Sequence, residues 1–176
     1  MIFIHNKPFI PYLDAITIQG AVDRIASQIC TDYADEPPVL LSVLNGSFMF
    51  LADLVRKIDL PVEMSFMKVA SYSGISSTGQ VQIQLGLGDE IKDRHVIVVE
   101  DIVDTGRSMA VIQNLVLQKK PKSIAVASLL HKPDALLQPV EIKYLGFTIA
   151  DKFVVGYGLD FDGLGRNLPE IFQLKD

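Results

Sequence analysis

An α/β fold with a mainly parallel central sheet and flanking helices is predicted for this 176-residue chain. Three observations carry the prediction. Uninterrupted apolar runs of strand length ("VLLSVL", "HVIVVE", "SIAVASLL") recur along the chain, as expected of parallel strands whose two faces are both covered. Stretches with helical apolar spacing alternate with them. From His95 to Leu130, strand, short loop, helix and strand follow one another with few residues between, the signature of a right-handed βαβ unit. A hydrophobic content of 49% over this length suffices for one sizeable core. No repeat, low-complexity tract or long linker divides the chain, so residues 1–176 are expected to form a single domain.

The elements follow in order. After a polar start, "TIQGAVDRIASQICTDYA" places Ile18, Val22, Ile25, Ala26 and Ile29 on one helical face, with Thr17 as its cap. "VLLSVL" is a buried strand closed by "NGS", and "FMFLADLVRKI" resumes a helical pattern. "VEMSFMKVA" and "VQIQLGL" are strand-like and flank the polar hinge "SYSGISSTG". Its two glycines and five serine or threonine residues offer little hydrophobic anchoring, which predicts a mobile loop, with a ragged helix as the alternative. "HVIVVE", the helical "SMAVIQNLVLQKK" and the strand "SIAVASLL" complete the βαβ unit. In the tail, short strand-like runs are separated by Asp and Gly, and four glycines between Gly156 and Gly165 predict tight turns.

Charge excludes some functions. With 16 Lys+Arg against 21 Asp+Glu and a net charge of -5, no broad basic surface for nucleic acid is expected. Small anions remain possible ligands, because backbone donors bind them locally. The lone Cys30 has no partner for an internal disulfide, which suits a reducing compartment. "MIFIHNKPFIPYLD" lacks the pattern of a signal peptide. The uncharged run "PPVLLSVLNGSFMFLA" is too short to span a bilayer and is interrupted by Asn45 and Gly46. A cytoplasmic location without membrane attachment is the expectation. His5 and His95 have no partner cluster that would hold zinc.

The chemistry concentrates in "VIVVEDIVDTGRSM", Val96 to Met109. At the carboxyl end of a parallel strand it should lie in the ligand crevice of the sheet. The N–H groups of Thr105, Gly106, Arg107 and Ser108, the hydroxyls of Thr105 and Ser108, and the next helix's N-terminus can wrap a phosphate. Arg107 either adds charge or points to solvent. The GxxxxGK[ST] loop of nucleotide hydrolases is absent. Glu100 and Asp101 are poor neighbours for a phosphate but good acceptors for two adjacent sugar hydroxyls, or ligands for a divalent ion associated with them. Asp104 stands between the two surfaces. Alone, any one of these acids reads as a solvated turn or a helix cap; together they fit a phosphorylated ribose.

"VVEDIVDTGRSM" closely resembles the phosphoribosyl-diphosphate motif of type I phosphoribosyltransferases. Other segments resemble the hypoxanthine-guanine group of that family. "LNGS" at Leu44–Ser47 is similar to its diphosphate loop, "ASYSG" at Ala70–Gly74 to its mobile closing loop, and "SLLHK" at Ser128–Lys132 to its first purine-side segment. "DKFVVGYGLDFDGLGRNLP" at Asp151–Pro169 is similar to its purine-binding hood. The resemblance covers nearly the whole chain in order. It implies the type I phosphoribosyltransferase fold, with a small hood made from the N-terminal and C-terminal segments.

The resemblance also implies roles. Glu100 and Asp101 would hold the ribose hydroxyls, and Asp104, Thr105, Gly106, Arg107 and Ser108 the 5'-phosphate. Asp104 would accept a proton from the attacking purine. Lys152 would donate to the 6-oxo group, Lys132 would help orient that end, Phe153 would stack on the ring with Ile102 also against it, and the Val154 backbone would read the edge near C2. Asn45, Gly46 and Arg166 would contact diphosphate. Mg²⁺ is the implied cofactor, with Glu100, Asp101 and Asp160 as its ligands, Asp160 also bordering the purine site; Ser71 and Tyr72 would close over the reacting centre. Where the family's diphosphate loop commonly carries a basic or varied residue, this chain has the uncharged Asn45, so diphosphate contact there would rely on the backbone N–H groups of Gly46 and Ser47. A cis peptide between Leu44 and Asn45 is implied as well. One histidine, His131, beside Lys132 reads as structural or solvent-facing rather than catalytic.

The activity so implied is transfer of a 5-phosphoribosyl group from 5-phospho-α-D-ribose 1-diphosphate to N9 of hypoxanthine or guanine, giving IMP or GMP and diphosphate in purine salvage. Use of xanthine stays open. A rival of another class, an RNA-binding regulator of the same fold, would retain the central motif, but the acidic total and absence of a basic cluster weigh against it. Self-association as a homodimer or homotetramer is the further implication.

Overall fold

The computed structural model of the chain describes residues 1–71, 81–85, 88 and 91–175. Strands β1 (Ile2–Ile4) and β2 (Lys7–Leu13) form an antiparallel hairpin, with His5 and Asn6 at positive φ in its turn. The polar start therefore holds two strands. Helix α1 (Ala15–Asp32) follows, and its cap is Asp14, not Thr17. The Asp14 carboxylate accepts the Thr17 N–H at 2.7 Å. A cap side chain reaches the N–H two or three residues ahead, so Thr17 supplies the donor that Asp14 satisfies. Ile18, Val22, Ile25, Ala26 and Ile29 are all buried, as their spacing requires.

Next come β3 (Val39–Leu44), α2 (Phe48–Lys57), β4 (Glu63–Ser71), β5 (Val81–Leu85), β6 (His95–Val103), α3 (Arg107–Gln118), β7 (Ser123–His131), a 3-10 turn at Pro133–Ala135, β8 (Tyr144–Thr148), β9 (Val154–Val155) and β10 (Ile171–Leu174). The larger sheet has the order β5-β4-β3-β6-β7-β8. All its pairings are parallel except β4 with β5. From β3 the chain steps outward to β4, then returns across β3 to β6 before stepping outward the other way. That reversal between β3 and β6 is the topological switch point, where open α/β sheets form their ligand crevice.

The continuous apolar runs are explained by the two layers. Leu40, Ile97, Val99 and Leu129 pack toward α1 and α2 with Phe50, Leu51 and Leu54, whereas Val39, Leu41, Val96 and Val98 pack toward α3 with Met109, Ile112 and Val116. Each strand thus needs apolar residues on both faces. No helix among the described residues is long and apolar enough to cross a membrane. Tyr72 and the rest of the polar hinge fall outside the described residues; the Ser71 backbone pairs with Val81 at the end of β4.

A second, antiparallel sheet of order β1-β2-β10-β9 unites the two ends of the chain around Ile4, Phe9, Val155 and Phe172. Between β9 and β10 the backbone folds on itself through the bridges Gly156–Leu159 and Phe161–Leu164. A polar strut joins this region to the helices: the buried Tyr157 hydroxyl donates to Asp53 Oδ2 at 2.6 Å, and Gln19 Nε2 donates to the same oxygen at 2.7 Å. Burial pushes the Asp53 carboxyl upward, but the Tyr157, Gln19 and Arg56 donors outweigh it and hold it below its usual range. Tyr157→Phe is therefore expected to cost about 1.5–3 kcal/mol, the worth of a hydrogen bond to a charged group. Urea denaturation should show a lower midpoint at unchanged slope; a loss under about 0.5 kcal/mol would mean the strut contributes nothing.

Candidate active site

The parallel pairing of β3 with β6 brings two loops side by side at their carboxyl ends. The β3 loop begins with a cis peptide between Leu44 and Asn45, as the resemblance implies. Ser47 anchors its far side: the buried hydroxyl donates to Val43 O at 2.6 Å and lies 2.6 Å from Ser42 Oγ. Between them, Gly46 lies against Asp101 so closely that a Cβ there would stand 1.8 Å from Asp101 Oδ2. Only glycine permits that approach. It joins the loop expected to hold diphosphate to the acidic pair expected to hold ribose.

The β6 strand is longer than its apolar run, extending through the acidic residues to Val103. Its pairing with β7 continues through Glu100–Ser128 and Ile102–Leu130, so the strand passes the acidic pair and the loop begins at Asp104. Around it opens a cavity of about 260 Å³ lined by Glu100, Asp101, Ile102, Asp104, Thr105, Gly106 and Ser108, among others. Gly106 caps α3 and its carbonyl accepts the Ala110 N–H at 3.0 Å. The cavity therefore receives the N-terminal end of a helix and a hydroxyl-bearing turn, the conditions for anion binding. The Arg107 side chain is exposed and lies outside the lining of this cavity.

Glu100 and Asp101 are both buried. Burial and the neighbouring Asp101 charge push the Glu100 carboxyl well above its ordinary range. Burial also raises Asp101 to about 6, despite opposing contributions from the Ile102 N–H and Arg166. Carboxylates in this condition are stabilised by hydroxyl donors or a cation arriving with a ligand. Asp160 is held differently, by Arg166 Nη2 at 2.6 Å and the Gly163 N–H at 2.7 Å. Arg166 also donates to Gly158 O at 2.6 Å. Asn45, Gly158 and Arg166 line an adjoining cavity of about 200 Å³, which brings two of the expected diphosphate contacts together.

No cluster of three or more His, Cys, Asp or Glu side chains positioned to hold a metal occurs among the described residues. The donor set nevertheless fits Mg²⁺, which favours oxygen ligands, keeps several waters and binds through one or two carboxylates plus substrate phosphates. Glu100, Asp101 and Asp160 are carboxylates of that kind. The fit is to an ion brought in with a phosphorylated ligand rather than to a closed protein cage.

On the other side of Asp104 stands Lys132, just past the end of β7. Its backbone N–H donates to Val103 O at 3.0 Å, and its Nζ lies 3.5 Å from Asp104 Oδ2 and 3.2 Å from Asp151 Oδ1. The side chain is only 8% exposed, against 46% for Asp104 and 63% for Asp151. Lys132 is thus a cation in contact with Asp104, and Lys152 lies half-buried on the neighbouring loop. Asp151 is the partner that sequence reasoning left without a role; its place directly before Lys152 gives no hint that it reaches Lys132. Phe153 keeps 46% of its surface exposed. It packs edge-on against Phe161 with ring centroids 5.5 Å apart, leaving ring surface for a flat ligand. Val154 is buried, its backbone paired with Gln173. His131 Nε2 is buried without a hydrogen-bond partner among the described residues, so this nitrogen does not face solvent.

The phosphoribosyl transferase domain family matches residues 12–162. The hypoxanthine-guanine phosphoribosyltransferase of Staphylococcus epidermidis is 44% identical over 159 residues, covering 90% of this chain and 89% of that protein. A crystal structure of a hypoxanthine phosphoribosyltransferase from Staphylococcus aureus superposes with a TM-score of 0.90 at 41% identity, covering 97% of this chain and 94% of the other. The hypoxanthine-guanine phosphoribosyltransferase structure from Bacillus anthracis gives a TM-score of 0.89 at 35% identity over 94% of this chain and 98% of that one.

The raised Asp101 pKa has a consequence for stability. Between 3.8 and about 6 the folded chain holds this proton more tightly than the unfolded chain does. Stability must then fall as pH rises through that window, by up to about 1.4 kcal/mol per pH unit. Asp101→Asn removes the titration, so without ligand or divalent ion it should melt above the unmodified protein near neutral pH and differ less near pH ~4. Equal thermal shifts at both pH values would refute the assignment.

Proposed function

The chain belongs to the phosphoribosyl transferase family, and from that premise we propose that it transfers the 5-phosphoribosyl group of 5-phospho-α-D-ribose 1-diphosphate to N9 of hypoxanthine or guanine. The products are IMP or GMP and diphosphate, and the role is purine salvage. The fold is that of the type I phosphoribosyltransferases. One observation carries the assignment of substrate: Lys132 Nζ beside Asp104, next to the cavity that holds the phosphate-type turn. An ammonium group donates to a 6-oxo substituent but meets the 6-amino group of adenine unfavourably.

In this reading the N–H groups and hydroxyls between Thr105 and Ser108 hold the 5'-phosphate, with the exposed Arg107 contributing its backbone. Glu100 and Asp101 accept from the ribose hydroxyls. Gly46, Asn45 and Arg166 hold the diphosphate, whose bond to the ribose C1 breaks as the bond from N9 forms. Charge then develops in two places, as oxocarbenium character on the ribose and as negative charge on the leaving group. Glu100, Asp101 and Asp160 would hold Mg²⁺ together with substrate oxygens, and the ion would supply charge neutralisation for the leaving group. Asp104 accepts the proton that the purine ring gives up. Lys152 donates to the 6-oxo group and Lys132 helps orient that end; Phe153 and Ile102 flank the ring, and the Val154 backbone reads its C2 edge. The protein acts in the cytoplasm as a single-domain subunit of a homodimer or homotetramer.

The direct test is release of diphosphate and formation of nucleoside monophosphate from the ribose donor with hypoxanthine, guanine, xanthine and adenine in turn. Failure with every 6-oxopurine would overturn the reading. Asp104→Asn should lower turnover by about 10²- to 10⁴-fold, the usual range for a lost proton acceptor, with little change in donor affinity measured separately by calorimetry. Near-normal turnover would remove Asp104 from that role. Lys152→Gln should erode the preference for hypoxanthine over adenine, read as the ratio of the two kcat/KM values. An unchanged ratio would remove Lys152 from that contact.

A further inference from the structure

The phosphate turn is not self-supporting. Its Thr105 carbonyl accepts two backbone N–H groups from a distant segment, Leu137 at 2.9 Å and Gln138 at 3.1 Å. The next residue, Gly106, has φ +77, and a Cβ there would meet Gln138 O at 2.3 Å. These facts share one cause. In a trans peptide the C=O and N–H point in opposite directions, so fixing the Thr105 carbonyl also fixes the Gly106 N–H. Rotating that peptide by half a turn would change the sign of the Gly106 φ and reverse the direction of its N–H. We propose that the Leu137 and Gln138 amides are positioning groups that lock the Thr105–Gly106 peptide in its phosphate-binding orientation.

The lock rests on the functional reading above and deepens it. Residues 132–138 carry Lys132 at one end and the two locking amides at the other, joined by a 3-10 turn in which the Ala135 N–H donates to Lys132 O at 3.2 Å. The same short segment thus sets the base-side ammonium and the orientation of a phosphate donor. The Leu137 and Gln138 side chains are exposed, so their contribution is made by the backbone, and only a residue lacking an N–H removes it.

The test compares Gln138→Pro with Gln138→Ala. Affinity for ribose 5-phosphate is measured by calorimetry, and kcat and both KM values by assay of the full-length protein. Gln138→Pro should weaken ribose 5-phosphate binding and raise the donor KM about fivefold to tenfold, the net worth of about one hydrogen bond, with the purine KM unchanged. Gln138→Ala, which keeps the N–H, should behave as the unmodified protein. Ribose 5-phosphate affinity unchanged in Gln138→Pro and in the companion Leu137→Pro would overturn the lock while leaving the reaction intact. Absence of both transfer activity and ribose 5-phosphate binding in the unmodified protein would overturn the functional reading and the lock with it. Should the proline variants fail to fold, amide hydrogen exchange on the unmodified protein decides. A ligand that selects the locked form must strengthen the lock reciprocally, so ribose 5-phosphate should slow exchange at Leu137 and Gln138. Unprotected amides at both positions would refute the proposal.

Discussion

The parallel register between β3 and β6, from Val39–Val96 to Ser42–Val99, sets the geometry on which the rest of the site depends. It delivers the Leu44–Ser47 loop and the acidic end of β6 to the same level, close enough for Gly46 to lie directly against the Asp101 carboxylate. A slip of one residue along either strand would turn every inward side chain to the opposite layer. The two hydrophobic clusters on either side of the sheet are therefore what hold the chemistry in register.

Given that register, the charge problem posed by three acids beside a phosphate turn is solved by direction. Glu100 and Asp101 are buried within the strand. The turn that follows offers backbone donors and the first turn of α3, and Asp104 leans toward the ammonium of Lys132. Negative charge, anion-binding donors and a buried cation occupy successive positions along one side of the sheet. A ligand with hydroxyls, a phosphate and a polar ring meets each in turn.

Much of this was legible in the sequence, and what was not has physical reasons. "VLLSVL" corresponds residue for residue to β3, because a strand buried on both faces has no polar position to obscure its ends. The next parallel strand extends three residues past its apolar run, since its backbone finds partners on β7 whatever its side chains. The β1–β2 hairpin was hidden by Pro8 and Pro11, residues that argue against an interior strand. Asp14 was overlooked as a cap in favour of Thr17, although both types suit the position. Asp151 escaped notice because its partner, Lys132, lies on another loop. The Leu137 and Gln138 amides could not be found at all, since every non-proline residue carries the same N–H and only the fold aims it.

The two sheets differ in how far along the chain their partners lie. The phosphate side is built from β6, α3 and β7, which are neighbours in sequence. In the smaller sheet, Phe9 must find Leu174 and Leu13 must find Ile171. Bringing such distant segments together incurs a larger loop-closure entropy before any contact compensates for it. The phosphate-side wall is accordingly expected to assemble early in folding, and the base-side wall late.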